Sequence, residues 1–310
     1  MDAILIGEML IDFTPGKEPA SYIRNAGGAP ANACVAMARN GLETGFLGKL
    51  GEDDFGRFLK QTLEDNGVAV LCPELTKEAV TTLAFVTLYE GGERSFTFAR
   101  KPGADMLLTK EDVDAADISR ARLVHAGSFG MSGNPSADAV KYALKKAKKL
   151  GKLVSFDVNY RDTVWDSEEA CRKEVDTILQ YVDFLKISEE ELGFVGGEEN
   201  IPNIMRERGI TVVIETLGSD GAKYFFDGKE AKISGHKVHA VDATGAGDAF
   251  WGGFLSRILM EKEVQSPADV TEELVRKALE YGNASGGLCV QKMGGIPALP
   301  TRAEIEAFLV

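Results

Sequence analysis

The chain has 310 residues, of which 44% are hydrophobic and 27% are charged, a composition typical of a globular protein with one large domain or two small ones. The formal net charge of −13 argues against nucleic acid or an anionic membrane as a partner, because binding a polyanion requires a basic surface. The four cysteines are widely spaced and include no C-x-x-C pair, so they predict reduced thiols in a cytoplasmic protein rather than a zinc site or disulfides.

Short apolar runs alternate with amphipathic stretches along most of the chain. A first strand is predicted at 3–7, and a first helix at 30–40 with Pro30 near its start and Gly41 after its end. Further strands are predicted at 44–50, 152–159, 183–188 and 211–216, and further helices at 53–67, 137–151 and 167–182, followed by two closing helices. This alternation predicts a mainly parallel α/β sheet covered by helices, with ligands at the carboxyl ends of its strands.

One segment departs from the alternation of strands and helices. The stretch 81–100 contains two alternating apolar runs joined by Gly91 and Gly92, which is the pattern of a β-hairpin. Together with the strand-like runs 11–16 and 21–26, this hairpin predicts a small separate sheet, contributed by about 10–25 and 80–102, that acts as a lid. An ordinary edge hairpin is the alternative. An exposed edge of this lid could pair with a second copy of the chain, so a homodimer through the lid is an expectation.

The stretch VDATGAGDAF at 241–250 has the features of an anion-binding loop. Apolar residues at Phe250, Phe254 and Ile258 follow it at helical spacing, which places Asp248 in or just before the first turn of a helix. A helix start offers unpaired N–H groups and a partial positive charge, which favour a bound phosphate. Asp248 as a simple helix cap, with the glycines forming a turn, is the alternative. No G-x-x-x-x-G-K-[ST] loop is present, so phosphate is not bound in that manner.

Two distant motifs, GGAPANACVAMARNG at 27–41 and VDATGAGDAFWGGF at 241–254, resemble the paired signature of the ribokinase-like (pfkB-type) carbohydrate kinases. The segments IGEMLIDF, LAFVTL, ERSFTFARKPGADMLL, SFDVNYR and DFLKISEEEL are most similar to those of fructokinases. The resemblance covers nearly the whole chain. It implies a single doubly wound ribokinase-like domain over 1–310 with a small β-sheet lid.

The resemblance also implies an activity, which is transfer of the γ-phosphoryl group of ATP to a hydroxyl of fructose. Asp248 matches the family's catalytic base, and the loop of Gly245, Ala246 and Gly247 matches its anion hole, where backbone amides neutralise charge on the moving group. ATP and Mg²⁺ are the expected cofactors, and K⁺ dependence is a hypothesis. The expected partners are therefore a small-molecule sugar and ATP, with neither nucleic acid nor membrane.

Further site residues follow from matching motif positions. The predicted sugar contacts are Asp12, Gly27, Gly28, Asn32, Arg100, Asn159 and Arg161. The predicted nucleotide contacts are Lys186, Ser188, Thr216, Gly218 and Asn283. The predicted metal positions are Glu191, acting indirectly on magnesium, and Asp242 and Thr244 near a potassium site. A surface ion pair is the alternative for each arginine, and an Asx-type turn explains Asp242 almost as well.

The substrate is left open by one departure from the family pattern. The family often has an aromatic residue before the lid arginine, whereas Ala99 occupies that position here. A kinase for 2-keto-3-deoxygluconate or another pfkB-type sugar kinase shares every catalytic feature and is the first alternative. A non-catalytic regulator that binds a sugar or a nucleotide is the second. The intact Asp248 and the intact Gly-Ala-Gly loop weigh against the regulator.

Overall fold

The computed structural model of the chain describes residues 1–16, 18, 20–88 and 94–310. Within these residues the strands are β1 Ala3–Ile6, β2 Leu10–Pro15, β3 Tyr22–Gly27, β4 Thr44–Leu47, β5 Ala69–Val70, β6 Leu83–Leu88, β7 Arg94–Ala99, β8 Leu123–Gly127, β9 Leu153–Asp157, β10 Phe184–Ser188, β11 Val212–Thr216, β12 Ala222–Phe226 and β13 Lys229–Ile233. The α-helices are α1 Ala29–Arg39, α2 Asp54–Asp65, α3 Lys110–Ala115, α4 Ser136–Lys149, α5 Glu168–Asp176, α6 Ile201–Arg208, α7 Ala246–Met260, α8 Glu272–Cys289 and α9 Arg302–Phe308.

The larger sheet has the strand order β13-β12-β11-β10-β9-β8-β1-β4-β5. Seven strands run parallel, namely β11, β10, β9, β8, β1, β4 and β5. Strands β12 and β13 add an antiparallel edge next to β11. The chain therefore winds outward in both directions from the β1–β8 pair, which makes the sheet doubly wound. The predicted mainly parallel α/β sheet is confirmed. Ligands of such sheets bind beyond the carboxyl ends of the strands next to this point of reversal.

Helices cover both faces of the larger sheet, and each face has its own hydrophobic core. Leu5 of β1 packs in the core that contains Trp251 and Phe254 of α7, whereas its neighbours Ile4 and Ile6 pack in the core beneath α4. This alternation follows from the two-residue period of a strand, which sends successive side chains to opposite faces. Continuous apolar strands such as β1 are thus buried on both sides, as parallel strands between two helical layers require.

The smaller sheet has the order β3-β2-β6-β7 and combines two separated parts of the chain. β2 pairs antiparallel with β3 and parallel with β6, while β6 pairs antiparallel with β7. The predicted small separate sheet is confirmed. The predicted turn at Gly91 and Gly92 lies outside the described residues, as do positions 17 and 19 of the other contributing segment.

Most predicted elements form close to their expected bounds, and the differences have local causes. The helix predicted at 167–182 ends at Asp176, and a separate 3₁₀ turn follows at Leu179–Tyr181. Strand β8 was not predicted, although it lies at the centre of the larger sheet, and neither were α3, α6, β12 and β13. In the described part of the chain, no helix combines the length and the apolar character needed to cross a bilayer.

Candidate active site

A cavity of about 270 Å³ lies between the two sheets, at the carboxyl ends of β1 and β9 and the start of α7. Its volume lies just below the range of about 300–1,000 Å³ for sites of drug-sized ligands, which suits a molecule of monosaccharide size. Its lining includes the predicted site residues Asp12, Gly28, Asn32, Asn159, Arg161, Thr244, Gly245 and Asp248. The structure thus brings together eight residues that the sequence places in four separate motifs.

A second cavity of about 620 Å³ is larger but lies elsewhere. It is formed at the amino end of β11, by Ile210 and Thr211 together with the turn at Asp227 and Gly228 and the apolar residues Pro267 and Val270. None of the predicted site residues lines it. Because ligands of parallel α/β sheets bind at the carboxyl ends of the strands, the smaller cavity is the candidate active site.

Asp248 occupies the first turn of α7, as its sequence context predicts. Gly245 precedes the helix with φ 75°, a left-handed conformation that glycine adopts without a steric penalty. One carboxylate oxygen, Asp248 Oδ2, accepts a hydrogen bond of 2.8 Å from Asn32 Nδ2. Burial raises the pKa of the Asp248 carboxyl and the nearby Asp157 adds to the rise, whereas the Asn32 hydrogen bond and the charges of Lys186 and Arg161 oppose it. A raised pKa makes this carboxylate a better proton acceptor for an alcohol.

Asp12 and Arg161 supply charges of opposite sign in the same cavity. Burial raises the pKa of Asp12 to about 7; the negative charge of Asp248 contributes to the rise, and the Arg161 guanidinium opposes it. Asn159, which also lines the cavity, has φ 39°, a value that asparagine tolerates better than most residues. This strained residue turns the chain after β9 so that both Asn159 and Arg161 reach the cavity. Together these groups offer hydrogen-bond donors and acceptors to the hydroxyls of a sugar.

Behind the cavity, Lys186 of β10 and Asp157 of β9 form a buried ion pair with Nζ to Oδ2 at 2.8 Å. The Lys186 ammonium lies beside the start of α7, because a Cβ built on Gly247 would be 3.8 Å from its Nζ. Burial alone would lower the pKa of Lys186, but the charges of Asp157, Glu191 and Asp248 outweigh it and raise that pKa. Lys186 therefore stays protonated next to the predicted anion hole. Within that loop, the Ala246 N–H donates to the Ala243 carbonyl at 3.2 Å.

Glu191 is held by the backbone rather than exposed to the cavity. Its two carboxylate oxygens accept hydrogen bonds from the N–H groups of Tyr160 at 2.6 Å and Ser188 at 2.8 Å. Burial raises the pKa of Glu191, and the Asp157 carboxylate adds to the rise, while Lys186 and the two N–H groups oppose it. Glu191 thus joins the chain after β9 to the chain after β10.

The remaining nucleotide positions lie at the carboxyl ends of β10 and β11 and on α8, outside the lining of the candidate active site. Ser188 caps the 3₁₀ segment Glu189–Val195, and the Thr216 hydroxyl donates to the Ile187 carbonyl at 3.3 Å. Gly218 follows β11 with φ 57°. Asn283 is buried on α8, where its Nδ2 donates to the carbonyls of Ile233 and Ser234 at 3.2 and 3.3 Å. Its side-chain amide therefore anchors the chain that follows β13.

Arg100, a predicted sugar contact, lies outside the lining of the candidate active site. It is 9% exposed, forms a buried ion pair with Asp105 at 2.7 Å, and stacks 4.4 Å from the centre of the Phe129 ring. Its Nη1 also donates to Ser132 Oγ at 2.7 Å. Arg100 does not line the cavity, whereas Phe129 does. The physical reason is that Asp105 and Ser132 engage its guanidinium beneath the cavity wall, so Arg100 supports the wall from behind.

Gly27 and Gly28 make room for the protein's own atoms. A Cβ on Gly27 would collide with the Asp12 carboxylate. A Cβ on Gly28 would lie 2.5 Å from the Glu8 carbonyl oxygen and 2.9 Å from Met9 Cα. Gly28 also precedes α1 with φ 111°, which residues with a side chain rarely adopt. The two glycines thus allow the chain after β1 to pack against the start of α1 at the cavity floor.

We expect Gly28→Ala to destabilise the protein by about 3 kcal/mol or more, because the new methyl group meets backbone atoms that cannot rotate away. Gly67→Ala is the matched control, since Gly67 also has a positive φ, 73°, but nothing lies within 4 Å of its Cβ position. That control isolates backbone strain, which costs about 1–2 kcal/mol. Urea denaturation measures both variants, and equal losses in the free energy of unfolding would contradict the steric argument.

Asp242 ties two loops together at the edge of the cavity. Its Oδ1 accepts from the Thr244 N–H at 2.9 Å, and its Oδ2 accepts from the Gly294 N–H at 2.9 Å. The first of these bonds is the Asx-type turn that the sequence left as an alternative. Among the described residues, no group of three or more His, Cys, Asp or Glu side chains is arranged to hold a metal ion.

Some residues of the site were not predicted. Glu8 and the aromatic residues Phe96, Phe98 and Phe129 line the cavity, and Asp157 pairs with Lys186 behind it. The sequence did contain a signal for Glu8, which is the only charged residue in the apolar run ILIGEMLI. Acidic residues are rarely fully buried unless they are paired, so such a position indicates a specific interaction. Phe96 and Phe98 alternate with polar residues on β7, and Phe129 lies in the 3₁₀ turn Ser128–Met131, so none of the three carries a comparable signal.

A carboxylate in the first turn of a helix, an ammonium group beside that helix start and a sugar-sized cavity in front of both suit phosphoryl transfer to a hydroxyl. With the doubly wound sheet and the small sheet above the cavity, they define the class of ribokinase-like phosphotransferases with an alcohol acceptor.

Comparison with known proteins supports this class. The chain belongs to the pfkB family of carbohydrate kinases, whose model, described as "pfkB family carbohydrate kinase", matches residues 2–302. It is an ATP-dependent sugar kinase. It is 39% identical to fructokinase-2 of Zea mays over 98% of this chain and 92% of that protein.

Two solved structures also resemble the chain over its full length. A fructokinase double mutant from Vibrio cholerae O395, bound to fructose, ADP and a potassium ion, has a TM-score of 0.90 and 33% identity, covering 100% of this chain and 98% of the other. An aminoimidazole riboside kinase from Salmonella enterica, bound to aminoimidazole riboside and an ATP analogue, has a TM-score of 0.86 and 28% identity, covering 100% of both chains.

Proposed function

We propose that the chain is a fructokinase that transfers the γ-phosphoryl group of ATP to a hydroxyl of fructose. The observation that carries the choice of sugar is its 39% identity to a plant fructokinase over nearly the full length of both proteins. The cavity supports the proposal because its volume suits one monosaccharide and because its lining contains both charged groups and three phenylalanine rings. Such a lining pairs sugar hydroxyls with polar groups and the C–H face of the ring with aromatic ones.

In the proposed mechanism, the Asp248 carboxylate accepts a hydrogen bond from the reacting hydroxyl and holds its oxygen in line with the γ-phosphorus. As the new O–P bond forms, the bond from the γ-phosphorus to the bridging oxygen breaks, and ADP leaves. The hydroxyl proton passes to Asp248 late in this step, because a carboxylate is a weak base toward an alcohol. Amides at the start of α7 and the Lys186 ammonium oppose the negative charge on the transferred group. Asp12, Asn32, Asn159 and Arg161 hold the sugar.

The residues near Lys186 fit a nucleotide bound with magnesium. Asp157 Oδ1 is buried and has no hydrogen-bond partner among the described residues, so an acidic oxygen remains available on the nucleotide side. Mg²⁺ usually keeps several waters and binds through phosphates and one or two carboxylates, so it needs no protein cage. We assign Asp157 and, indirectly, Glu191 to organise it, with Ser188, Thr216, Gly218 and Asn283 in the nucleotide-binding region. When bound, magnesium supplies charge neutralisation on the phosphates.

The proposed function is tested by ADP release from MgATP across fructose, ribose, 2-keto-3-deoxygluconate, aminoimidazole riboside, fructose 1-phosphate and adenosine. We expect the highest kcat/KM with fructose. A higher kcat/KM with another sugar would reject fructokinase while keeping the kinase mechanism. Binding of sugar or nucleotide without ADP release from any acceptor would reject the kinase mechanism in favour of a regulator.

We expect kcat/KM for the sugar to rise with pH through an apparent pKa near 7. The pKa of Asp12 is raised to about 7, so its carboxyl becomes an ionised acceptor for sugar hydroxyls only above that pH. The pKa of Asp248 is also raised, so both carboxyls favour the alkaline side. In Asp12→Asn, the limb near pH 7 should disappear, and kcat/KM at pH 8 should fall by about 10- to 100-fold with the loss of a charged acceptor. An unchanged limb in Asp12→Asn would refute this assignment.

Potassium dependence is a further part of the proposal. It is supported by the resemblance of Asp242 and Thr244 to family positions near such a site and by the potassium ion in the Vibrio cholerae fructokinase structure. Oxygen-rich surroundings suit a hard cation, and a cation beside the 242–245 loop would brace the start of α7. We expect higher kcat in potassium buffer than in sodium buffer of equal ionic strength. Identical rates in the two buffers would remove potassium from the mechanism.

We propose that the smaller sheet acts as a lid and that its open edge forms a homodimer. β3 is an edge strand of this sheet, and it exposes Tyr22 at 53% and Ile23 at 48% of their surfaces. Exposed edge strands with apolar side chains favour pairing with another chain. Sedimentation equilibrium of the protein and of Ile23→Lys tests this, and a monomeric wild-type protein would refute it.

A cytoplasmic location completes the proposal. The four cysteines are buried and form no disulfide, which agrees with a reducing compartment. Cell fractionation tests the location, and recovery of the protein in another compartment would refute it.

A further inference from the structure

Glu8 is a buried acid in the wall of the active-site cavity. It lies two residues after β1, is 2% exposed and lines the cavity together with Leu10 and Asp12. One carboxyl oxygen, Oε1, accepts a hydrogen bond of 3.0 Å from the Ala29 N–H at the start of α1. The other, Oε2, is buried and has no hydrogen-bond partner among the described residues. The carboxyl group is therefore anchored on one side and unsatisfied on the other.

The charged groups around Glu8 do not supply a partner for Oε2. Arg100 is the nearby cation, but its guanidinium already binds Asp105, at 2.7 Å, and Ser132. Asp105 is held by Arg100 and by the Thr82 hydroxyl at 2.5 Å. Burial raises the pKa of Glu8 to about 8; the carboxylate of Asp105 adds to the rise, whereas backbone hydrogen bonds and Arg100 oppose it. At neutral pH the group is thus mainly a neutral carboxylic acid with an O–H to donate.

A buried polar group without a partner costs about 1–3 kcal/mol, so a protein that retains one in a cavity wall gains something from it when the cavity is filled. Phe96, Phe98 and Phe129 of the same lining offer no acceptor from their side chains. The partner of Oε2 is then a polar atom of the ligand.

We infer that the protonated Glu8 donates a hydrogen bond from Oε2 to a sugar hydroxyl other than the one that is phosphorylated, and so helps to select the sugar. The inference depends on the proposed function only for the identity of the sugar. Glu8 is in this view a substrate-binding residue. Asp12 then accepts a hydrogen bond from the sugar and Glu8 donates one, both from one short segment of chain.

The test combines two variants with sugars that lack one hydroxyl each. In Glu8→Gln, the side-chain oxygen keeps the Ala29 bond and the amide NH₂ replaces the O–H donor, so kcat/KM should stay within about threefold of the wild type. In Glu8→Met, the shape is similar but both polar atoms are lost, so kcat/KM should fall by about 10- to 100-fold. One monodeoxy sugar should show a loss of similar size with the wild type and no further loss with Glu8→Met.

Such coupling separates recognition from support of the fold. A purely structural role lowers kcat/KM of the parent sugar and of every deoxy analogue by the same factor, and that result would overturn the inference. Should Glu8→Met fail to fold, infrared difference spectra on sugar binding decide instead. The wild type should show a shifted band of a protonated carboxyl that Glu8→Gln lacks, and the same band in Glu8→Gln would also overturn the inference.

Failure of the proposed function is recognisable separately. The wild-type preference among sugars decides that function before any variant is made. The deoxy series is then prepared from the sugar that the wild type prefers, so the role of Glu8 is tested whichever sugar it is.

Discussion

Replacing Asp248 with asparagine should lower turnover by about two to four orders of magnitude and leave sugar binding much less affected. The exchange changes few atoms, and the Asn32 Nδ2 group that donates to Asp248 Oδ2 at 2.8 Å can donate to the new amide oxygen instead. The cavity should therefore keep its shape. An amide cannot accept the hydroxyl proton, however, so the reacting oxygen would have to attack without general-base assistance.

Turnover with MgATP and the binding of fructose by calorimetry measure the two effects of Asp248→Asn separately. Glu261→Gln is the matched control, because it makes the same exchange of acid for amide at the other end of the same helix, where Glu261 pairs with Arg257. The control should retain wild-type turnover. If purified Asp248→Asn keeps more than a tenth of wild-type turnover, Asp248 is not the base.

Replacing Lys186 with methionine should both destabilise the protein and slow the reaction. The Lys186 and Asp157 side chains are only 8% and 5% exposed, so the substitution leaves a buried carboxylate without its cation. Breaking one side of a buried pair costs about 3–5 kcal/mol. The same change removes the ammonium beside Gly247, where charge develops on the transferred phosphoryl group, and should lower kcat by about 100-fold or more.

The double variant Lys186→Met with Asp157→Leu separates these two effects. Replacing both partners of a buried pair by apolar groups of similar shape is often neutral for stability, so urea denaturation should show most of the lost free energy restored. Turnover should remain low, because no cation returns and the Asp157 carboxylate that we assign to magnesium is lost as well. Lys277→Met, which removes an exposed partner of Glu273, should change stability by less than about 0.5 kcal/mol. Recovery of activity together with stability would mean that Lys186 serves the fold alone.

The sequence predicts the parts of this molecule whose signals are local. Strand β1 is an unbroken apolar run, α1 has a proline in its first turn and a glycine two residues after its end, and Asp248 follows a glycine-rich turn, so each could be placed from its neighbours alone. The mainly parallel sheet follows from their alternation. The separate small sheet follows from two runs that break it.

The parts that could not be predicted depend on contacts between distant residues. Arg100 matches a motif, but only the fold shows that Asp105 and Ser132 engage it behind Phe129. Gly28 reads as an approach point for a ligand, yet the atoms that need its space belong to Glu8 and Met9. Strand β8 carries His125 in a short run, and its central position depends on pairing with β1 and β9.

One continuous segment of chain, residues 8–15, contributes both to the lining of the cavity and to the smaller sheet. Glu8 lies two residues before β2 begins, Asp12 lies on β2 itself, and β2 pairs with both β3 and β6. Under the proposed function, a sugar held by these acids is therefore attached to the sheet that we propose as its lid. For anyone who wishes to redesign this enzyme, we expect that sugar preference and the exclusion of water cannot be altered independently. Exchanging β2 for that of a relative should change the acceptor and the rate of wasteful ATP hydrolysis together.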